Sequence, residues 1–168
     1  MGRTIRFHFD FISPYAYVAW TQMPALAARH GCSLAPVPVL FAALLDAHGT
    51  KGPAEVPARR RYIFKDIARK AATFGVPIDA PLAHPFNPLL ALRIASLPME
   101  EDARRRVIDA LFQATWVLRR NMMSREVVTS VLREAGLETD LPLQAESPEA
   151  KQRVREFLEG RGPKVKAS

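Results

Sequence analysis

The first forty residues of the chain alternate between apolar runs and a helical repeat of apolar positions. Residues 5–11 form an apolar run that alternates at first with polar residues, which predicts a strand. Apolar positions recur at helical spacing over residues 14–30, and a second apolar run covers residues 33–40 after Gly31. The pattern predicts a β-α-β unit over residues 1–41, whose right-handed crossover makes the two strands parallel neighbours.

Prolines modify both the helix and the second strand of this unit. Pro24 interrupts the helical pattern, and we expect a kink or a short break near Met23 because proline removes a backbone hydrogen bond. In the second strand Pro36 and Pro38 have no N–H to donate, so ladder bonds are expected on one side only.

From residue 58 onwards the periodic positions predict helices. A short apolar stretch at residues 42–45 and a polar loop come first. The expected helix boundaries are a stop at Gly75, an opening at Asn87-Pro88, acidic residues 100–102 at the next start, and serine caps at Ser124 and Ser147. The sequence therefore predicts an α/β fold with a helical insertion over residues 42–159 and a basic tail over residues 160–168.

The junction between the first strand and the first helix carries the candidate chemistry. Ser13 stands at the N-cap position, and Pro14 follows at the first helical position, where its missing N–H costs nothing. Free backbone N–H groups and the positive helix end therefore lie beside a hydroxyl, a place that favours an anion or a thiolate. The alternative interpretation is that Ser13 only caps the helix.

Composition and charge narrow the function classes. The 168 residues are 48% hydrophobic and 24% charged, as in a soluble globular domain. The 24 Lys and Arg residues exceed the 17 Asp and Glu residues, but the internal arginine triplets fall inside helical patterns with acidic neighbours, so no nucleic-acid partner is expected. The chain has no apolar stretch long enough for an export signal or a membrane span. We therefore expect a cytoplasmic location.

Cysteine and histidine add no redox or metal chemistry to the prediction. The single cysteine, Cys32, excludes a disulfide within the chain and is interpreted as a buried structural thiol. His8, His30, His48 and His84 show no metal-ligand spacing and are interpreted individually as polar or loop residues, so no metal site is expected.

Several ordered motifs together resemble a known family. They are Asp-Phe-Ile-Ser-Pro-Tyr-Ala-Tyr at residues 10–17, Pro-Val-Leu-Phe at 38–41, the 62–77 helix with its Gly-Val-Pro ending, His-Pro-Phe-Asn-Pro-Leu at 84–89, and Ser-Pro-Glu-Ala-Lys at 147–151. The chain resembles the thioredoxin-fold family of 2-hydroxychromene-2-carboxylate isomerases, which are relatives of kappa-class glutathione transferases and, more distantly, of disulfide-bond oxidoreductases.

The resemblance implies a glutathione-dependent isomerase that opens a chromene ring and isomerises the product through a glutathione adduct. Ser13 would be the catalytic residue, activating the glutathione sulfur rather than attacking the substrate itself. Ser13, Pro14 and Tyr15 would bind glutathione. The implied partners are a small aromatic substrate and a second copy of the chain in a homodimer. Asp10 is either part of this chemistry or a strand-end residue that ties the loop.

The resemblance also places a substrate-binding loop after the second strand. Asp46 and Thr50 stand where the family has a lysine and an asparagine that hold the substrate, and Lys51 would partly compensate for the lost cation. An acidic Asp46 suits a carboxylate substrate poorly. We therefore predict substrate contacts at Asp46, Thr50 and Lys51 but a changed specificity.

Family members continue beyond the last predicted helix into a cis-proline loop, two antiparallel strands and a further helix. Residues 160–168 do not resemble these elements, so we expect the C-terminal β-hairpin to be missing and the activity to be impaired. Three alternatives stay open at this stage: a glutathione transferase, a non-catalytic binding module of the same fold, and an oxidoreductase-like protein that has no redox cysteine pair.

Overall fold

A computed structural model describes residues 2–158, which begin with the predicted β-α-β unit. Strands β1 (Thr4–Phe9) and β2 (Ser33–Pro38) pair in parallel and are joined by helix α1 (Pro14–Arg29). The register runs from Thr4 opposite Ser33 to Phe9 opposite Pro38. Within residues 2–158 the sheet has these two strands, as the sequence predicted.

The parallel register explains how β2 tolerates two prolines. The N–H of Ser33 donates to the carbonyl of Arg3, and the N–H of Val39 donates to the carbonyl of Phe9. Odd-numbered residues of β2 therefore turn their N–H groups toward β1. The nitrogens of Pro36 and Pro38 lie on the outer edge, where no ladder bond to β1 is lost.

Short and long helices occupy most of the chain after the sheet. They are α2 (Phe41–Ala47), a 3₁₀ turn (Pro53–Glu55), α3 (Pro57–Phe74), α4 (Leu89–Ser96), α5 (Glu101–Trp116), α6 (Arg125–Glu134), α7 (Leu141–Gln144) and α8 (Pro148–Leu158). The predicted boundaries at Gly75, Ser124 and Ser147 are confirmed, and Gly75 ends α3 with a left-handed φ of 65°. No helix in this described part is long and apolar enough to cross a membrane.

Three local predictions differ from the structure. Helix α1 continues through Pro24, with Trp20 before it and Ala27 after it buried, so no break occurs near Met23, and the predicted kink stays a prediction. The helical spacing of apolar residues after residues 100–102 extends to Leu118 and predicts a helix that reaches it, but helix α5 ends at Trp116 and Leu118 is 55% exposed. Cys32 is half-buried rather than buried, since it lies in the turn after α1, where its thiol reaches the carbonyl of His30.

One aromatic cluster joins the sheet to the helices. Phe9 and Phe11, at the end of β1, are buried, and their rings contact Phe112 of α5 at centroid distances of 5.6 and 4.7 Å. Trp20 of α1 packs 6.2 Å from Phe9. The carboxyl end of β1 is thereby anchored in the core. The domain boundaries at residues 41 and 159 stay predictions, and the predicted tail over residues 160–168 lies outside the described residues.

Candidate functional site

A cleft of about 550 Å³ opens beside the carboxyl end of β1. Its walls come from the Asp10–Tyr15 junction, from α2, from the 3₁₀ turn, from α3 and from the segment that precedes α4. Ligands of open α/β sheets bind at this end of the strands. Of the predicted site residues, Ser13, Pro14 and Tyr15 all line the cleft.

Ser13 caps α1 and keeps a donor for a ligand. Its Oγ accepts the N–H of Ala16 at 3.2 Å, as an N-cap residue does. Within residues 2–158 the Ser13 hydroxyl hydrogen has no acceptor, and neither has the backbone N–H of Tyr15. Two donors and a positive helix end therefore meet at the cleft wall, which suits an anionic or thiolate sulfur.

Asp10 ties the Ser13 junction to α2. Its Oδ1 accepts the N–H of Ile12 at 3.1 Å, and its Oδ2 accepts the N–H of Phe41 at 2.9 Å. The residue is 3% exposed, and burial raises the pKa of its carboxyl to about 6, although both backbone hydrogen bonds act in the opposite direction. Asp10 therefore ties the loop, which is one of the two roles predicted for it, and its carboxylate also lines the cleft.

His84, in the segment before α4 that also lines the cleft, holds the same junction. Its Nε2 lies 2.9 Å from the carbonyl oxygen of Ile12, and since a carbonyl only accepts, this nitrogen carries the hydrogen. Phe64 and Trp116 pack against the ring at centroid distances of 5.4 and 5.7 Å. Burial lowers the pKa of His84, and the charge of Arg60 lowers it further, while the hydrogen bond to Ile12 opposes both.

A third side chain completes the hold on this junction. The indole Nε1–H of Trp116, at the end of α5, donates to the carbonyl of Phe11 at 2.9 Å. Asp10, His84 and Trp116 therefore fix consecutive backbone groups of residues 11 and 12, directly before Ser13. His84, predicted to be a polar or loop residue, is part of this hold; the His-Pro-Phe-Asn-Pro motif marks its position but does not show its contact with Ile12.

Tyr15 connects the cleft to α3. Its hydroxyl donates to Oδ2 of Asp66 at 2.8 Å, and Lys70 lies 3.7 Å from the same oxygen. Burial and the contact with Asp66 raise the pKa of Tyr15 to about 12, so the phenol keeps its proton at neutral pH. The side chain of Tyr15 is therefore a fixed part of the cleft wall. The backbone N–H of Tyr15 is one of the donors at the start of α1.

The predicted substrate loop lies beside the cleft, and its polar residues do not line it. Asp46, Thr50 and Lys51 are exposed, whereas their neighbours Leu45 and Gly52 do line it. Thr50 turns back toward α2, donating its N–H to the carbonyl of Leu45 at 2.9 Å. The structure thus brings Ser13, Pro14 and Tyr15 together, while substrate contacts at the other three positions stay a prediction.

The chain was compared with known families and structures. The model of the family described as "DSBA-like thioredoxin domain" matches residues 4–159. The chain belongs to this family. The DSBA-like assignment agrees with the observed β-α-β unit, with its helix-rich remainder and with the cleft at the end of β1.

Individual known proteins are also similar to the chain. The 2-hydroxychromene-2-carboxylate isomerase of Sphingobium xenophagum is 27% identical over 142 residues, which cover 83% of this chain and 72% of that protein. Glutathione S-transferase kappa 1 of Caenorhabditis elegans is 32% identical over 78 residues, 46% of this chain and 34% of that protein. A solved 2-hydroxychromene-2-carboxylate isomerase structure superposes with a TM-score of 0.83 at 20% identity, covering 94% of this chain and 78% of that one.

Proposed function

We propose that this protein is a glutathione-dependent enzyme that isomerises or conjugates a small aromatic substrate. The observation that carries the proposal is the Ser13 hydroxyl at the start of α1, in the wall of a cleft of small-molecule size. The similarity to an isomerase and to a kappa-class glutathione transferase supports the same chemistry. Isomerisation is the favoured reaction, because the isomerase is 27% identical over 83% of the chain, whereas the kappa-class transferase that covers most of the chain, 92% of it, is 23% identical.

The donor set at the start of α1 fits the sulfur of glutathione. Glutathione supplies, when bound, a thiol nucleophile that adds reversibly to electron-poor double bonds. Ser13 would hold the sulfur with its hydroxyl, and Tyr15 would hold it with its backbone N–H. A hydroxyl donor and a helix N-terminus both favour a thiolate and lower the pKa of a bound thiol.

Disulfide exchange is the reaction that the site supports least. Residues 13–16 are Ser-Pro-Tyr-Ala, and the one cysteine of the sequence, Cys32, lies at the far end of α1 outside the cleft lining. A thiol supplied by a ligand therefore has to do the work that a protein cysteine does in an oxidoreductase. The fold alone does not decide between these chemistries.

Calorimetric titration of the full chain with glutathione tests the proposal. We expect saturable heat at millimolar ligand or below, together with a rise in melting temperature. S-methylglutathione is the matched control, because it keeps the tripeptide but removes the S–H group, and we expect it to bind more weakly. No heat and no thermal shift with glutathione would remove the proposal. The homodimer and the cytoplasmic location are further proposals that this titration does not test.

A further inference from the structure

We infer that the half of the cleft away from Ser13 selects a neutral aromatic ring over a ring that carries a carboxylate. This inference rests on the proposed function, because it names the substrate class of the same site. The inferred preference distinguishes this protein from the similar isomerase of Sphingobium xenophagum, whose name specifies a carboxylate.

The walls of this half are apolar and come from separate segments of the chain. The side chains that form them include Leu40, Phe41, Leu45, Ile63, Phe86 and Leu89. A planar ring placed between them removes apolar surface of both ring and walls from water, which favours binding. The volume of about 550 Å³ accommodates a small ring system.

The acidic groups that line the cleft are held in place. Asp10 is a lining residue with both oxygens on backbone N–H groups, and the exposed Glu55 lies in the 3₁₀ turn with its Oε1 on the N–H of Gly52 at 2.7 Å. None of the described residues that line the cleft is a lysine or an arginine. A ligand carboxylate placed against these walls, away from the donors at Ser13, would lose its water, meet like charges and find no cation among the described lining residues.

His84 does not supply the missing cation. Its Nε2–H is committed to the carbonyl of Ile12, and burial lowers its pKa, so the ring is neutral at neutral pH. Lys51 and Arg60 are exposed and lie outside the lining. Neither cation forms part of the cleft wall, so neither pairs directly with a ring placed against the lining, although the charge of Arg60 acts on His84.

A matched pair of ligands tests this selection without glutathione. The full chain is titrated at pH 7.5 in phosphate buffer, whose anion competes for the donors at the start of α1, with 2-naphthol and with 2-naphthoate, which share one ring system and differ in the charged group. We expect 2-naphthol to bind at least about tenfold more tightly. Ala42→Trp, on the cleft-lining side of α2, should abolish binding of 2-naphthol, whereas Ala47→Trp on the same helix lies outside the lining and should leave it unchanged.

The charge on Glu55 provides the second test. Glu55→Gln keeps an oxygen to accept the N–H of Gly52 and removes the charge, so we expect the preference for 2-naphthol to fall by about threefold or more. Glu138→Gln, at an exposed position away from the cleft, should leave the preference unchanged. Equal or tighter binding of 2-naphthoate, binding that Ala42→Trp does not affect, or an unchanged preference in Glu55→Gln would overturn the inference. Such a result leaves the glutathione titration untouched, and a failed glutathione titration leaves the naphthol preference measurable.

Discussion

The imidazole of His84 donates its Nε2–H to the carbonyl oxygen of Ile12 at 2.9 Å, which links two residues 72 positions apart in the chain. This bond fixes the peptide that leads into Ser13. Replacing His84 with phenylalanine keeps a ring among the aromatic neighbours but removes the donor. We expect a loss of about 1–2 kcal/mol in the free energy of unfolding, measured by urea denaturation.

His84→Gln is the control for this prediction, because a glutamine amide can donate in place of the imidazole Nε2–H. We expect it to recover part of the stability and most of the glutathione affinity that His84→Phe loses. If both variants lose glutathione affinity equally while keeping the wild-type stability, the bond to Ile12 is not what positions Ser13.

The raised pKa of the Asp10 carboxyl predicts a specific pH dependence of the free energy of unfolding. Burial raises the pKa of its carboxyl from 3.8 to about 6, so between these values the folded protein binds more protons at this group than the unfolded chain does. The contribution of this group is therefore fully present below about pH 4 and is lost as the pH rises through 6. The loss amounts to roughly 2–3 kcal/mol for a shift of this size.

Comparison with Asp10→Asn isolates this contribution, since the other ionisable groups are common to both proteins. The amide is less able to accept two backbone N–H groups, so we expect the variant to be the less stable protein at pH 4. The stability gap between wild type and variant should shrink from pH 4 to pH 7. A gap that stays constant or widens over this range would show that Asp10 is not the buried acid described here.

Among these contacts, we expect the removal of the Trp116 indole to cause the largest loss in the free energy of unfolding. Its indole donates to the carbonyl of Phe11, and both residues are fully buried. Trp116→Phe leaves that carbonyl without its donor and removes part of a packed ring, so we expect a loss of about 2–4 kcal/mol. Leu118→Ala, at a position 55% exposed, should cost less than about 0.5 kcal/mol in the same urea experiment.

Features that depend on a short local motif can be predicted from the sequence, whereas features that depend on contacts between distant residues cannot. Ser13 and Gly75 were identifiable because helix caps and stops are local motifs. Helices α2 and α7, of seven and four residues, are too short to show a helical period, so they were not predicted as helices. The role of His84 depends on a contact with Ile12 that no local pattern contains.

Two of the serine caps, Ser13 and Ser124, allow a loss of catalysis to be distinguished from a loss of helix stability. Ser13 caps α1 in the cleft, with Oγ 3.2 Å from the N–H of Ala16, and Ser124 caps α6 away from it, with Oγ 3.3 Å from the N–H of Val127. Replacing either serine with alanine should cost about 1 kcal/mol of stability, because each variant loses the same kind of cap.

Only Ser13→Ala should also impair the thiol chemistry. It removes the hydroxyl donor proposed to hold the glutathione sulfur, so we expect glutathione to bind more weakly and its bound thiol pKa, followed by thiolate absorbance, to rise relative to wild type. Any measured glutathione-dependent rate should fall by about tenfold or more, a barrier increase of at least about 1.4 kcal/mol, while Ser124→Ala keeps the wild-type rate. A rate within about threefold of wild type in Ser13→Ala, with the same thiol pKa, would reduce Ser13 to a helix cap, since Ser124→Ala controls for the loss of a cap.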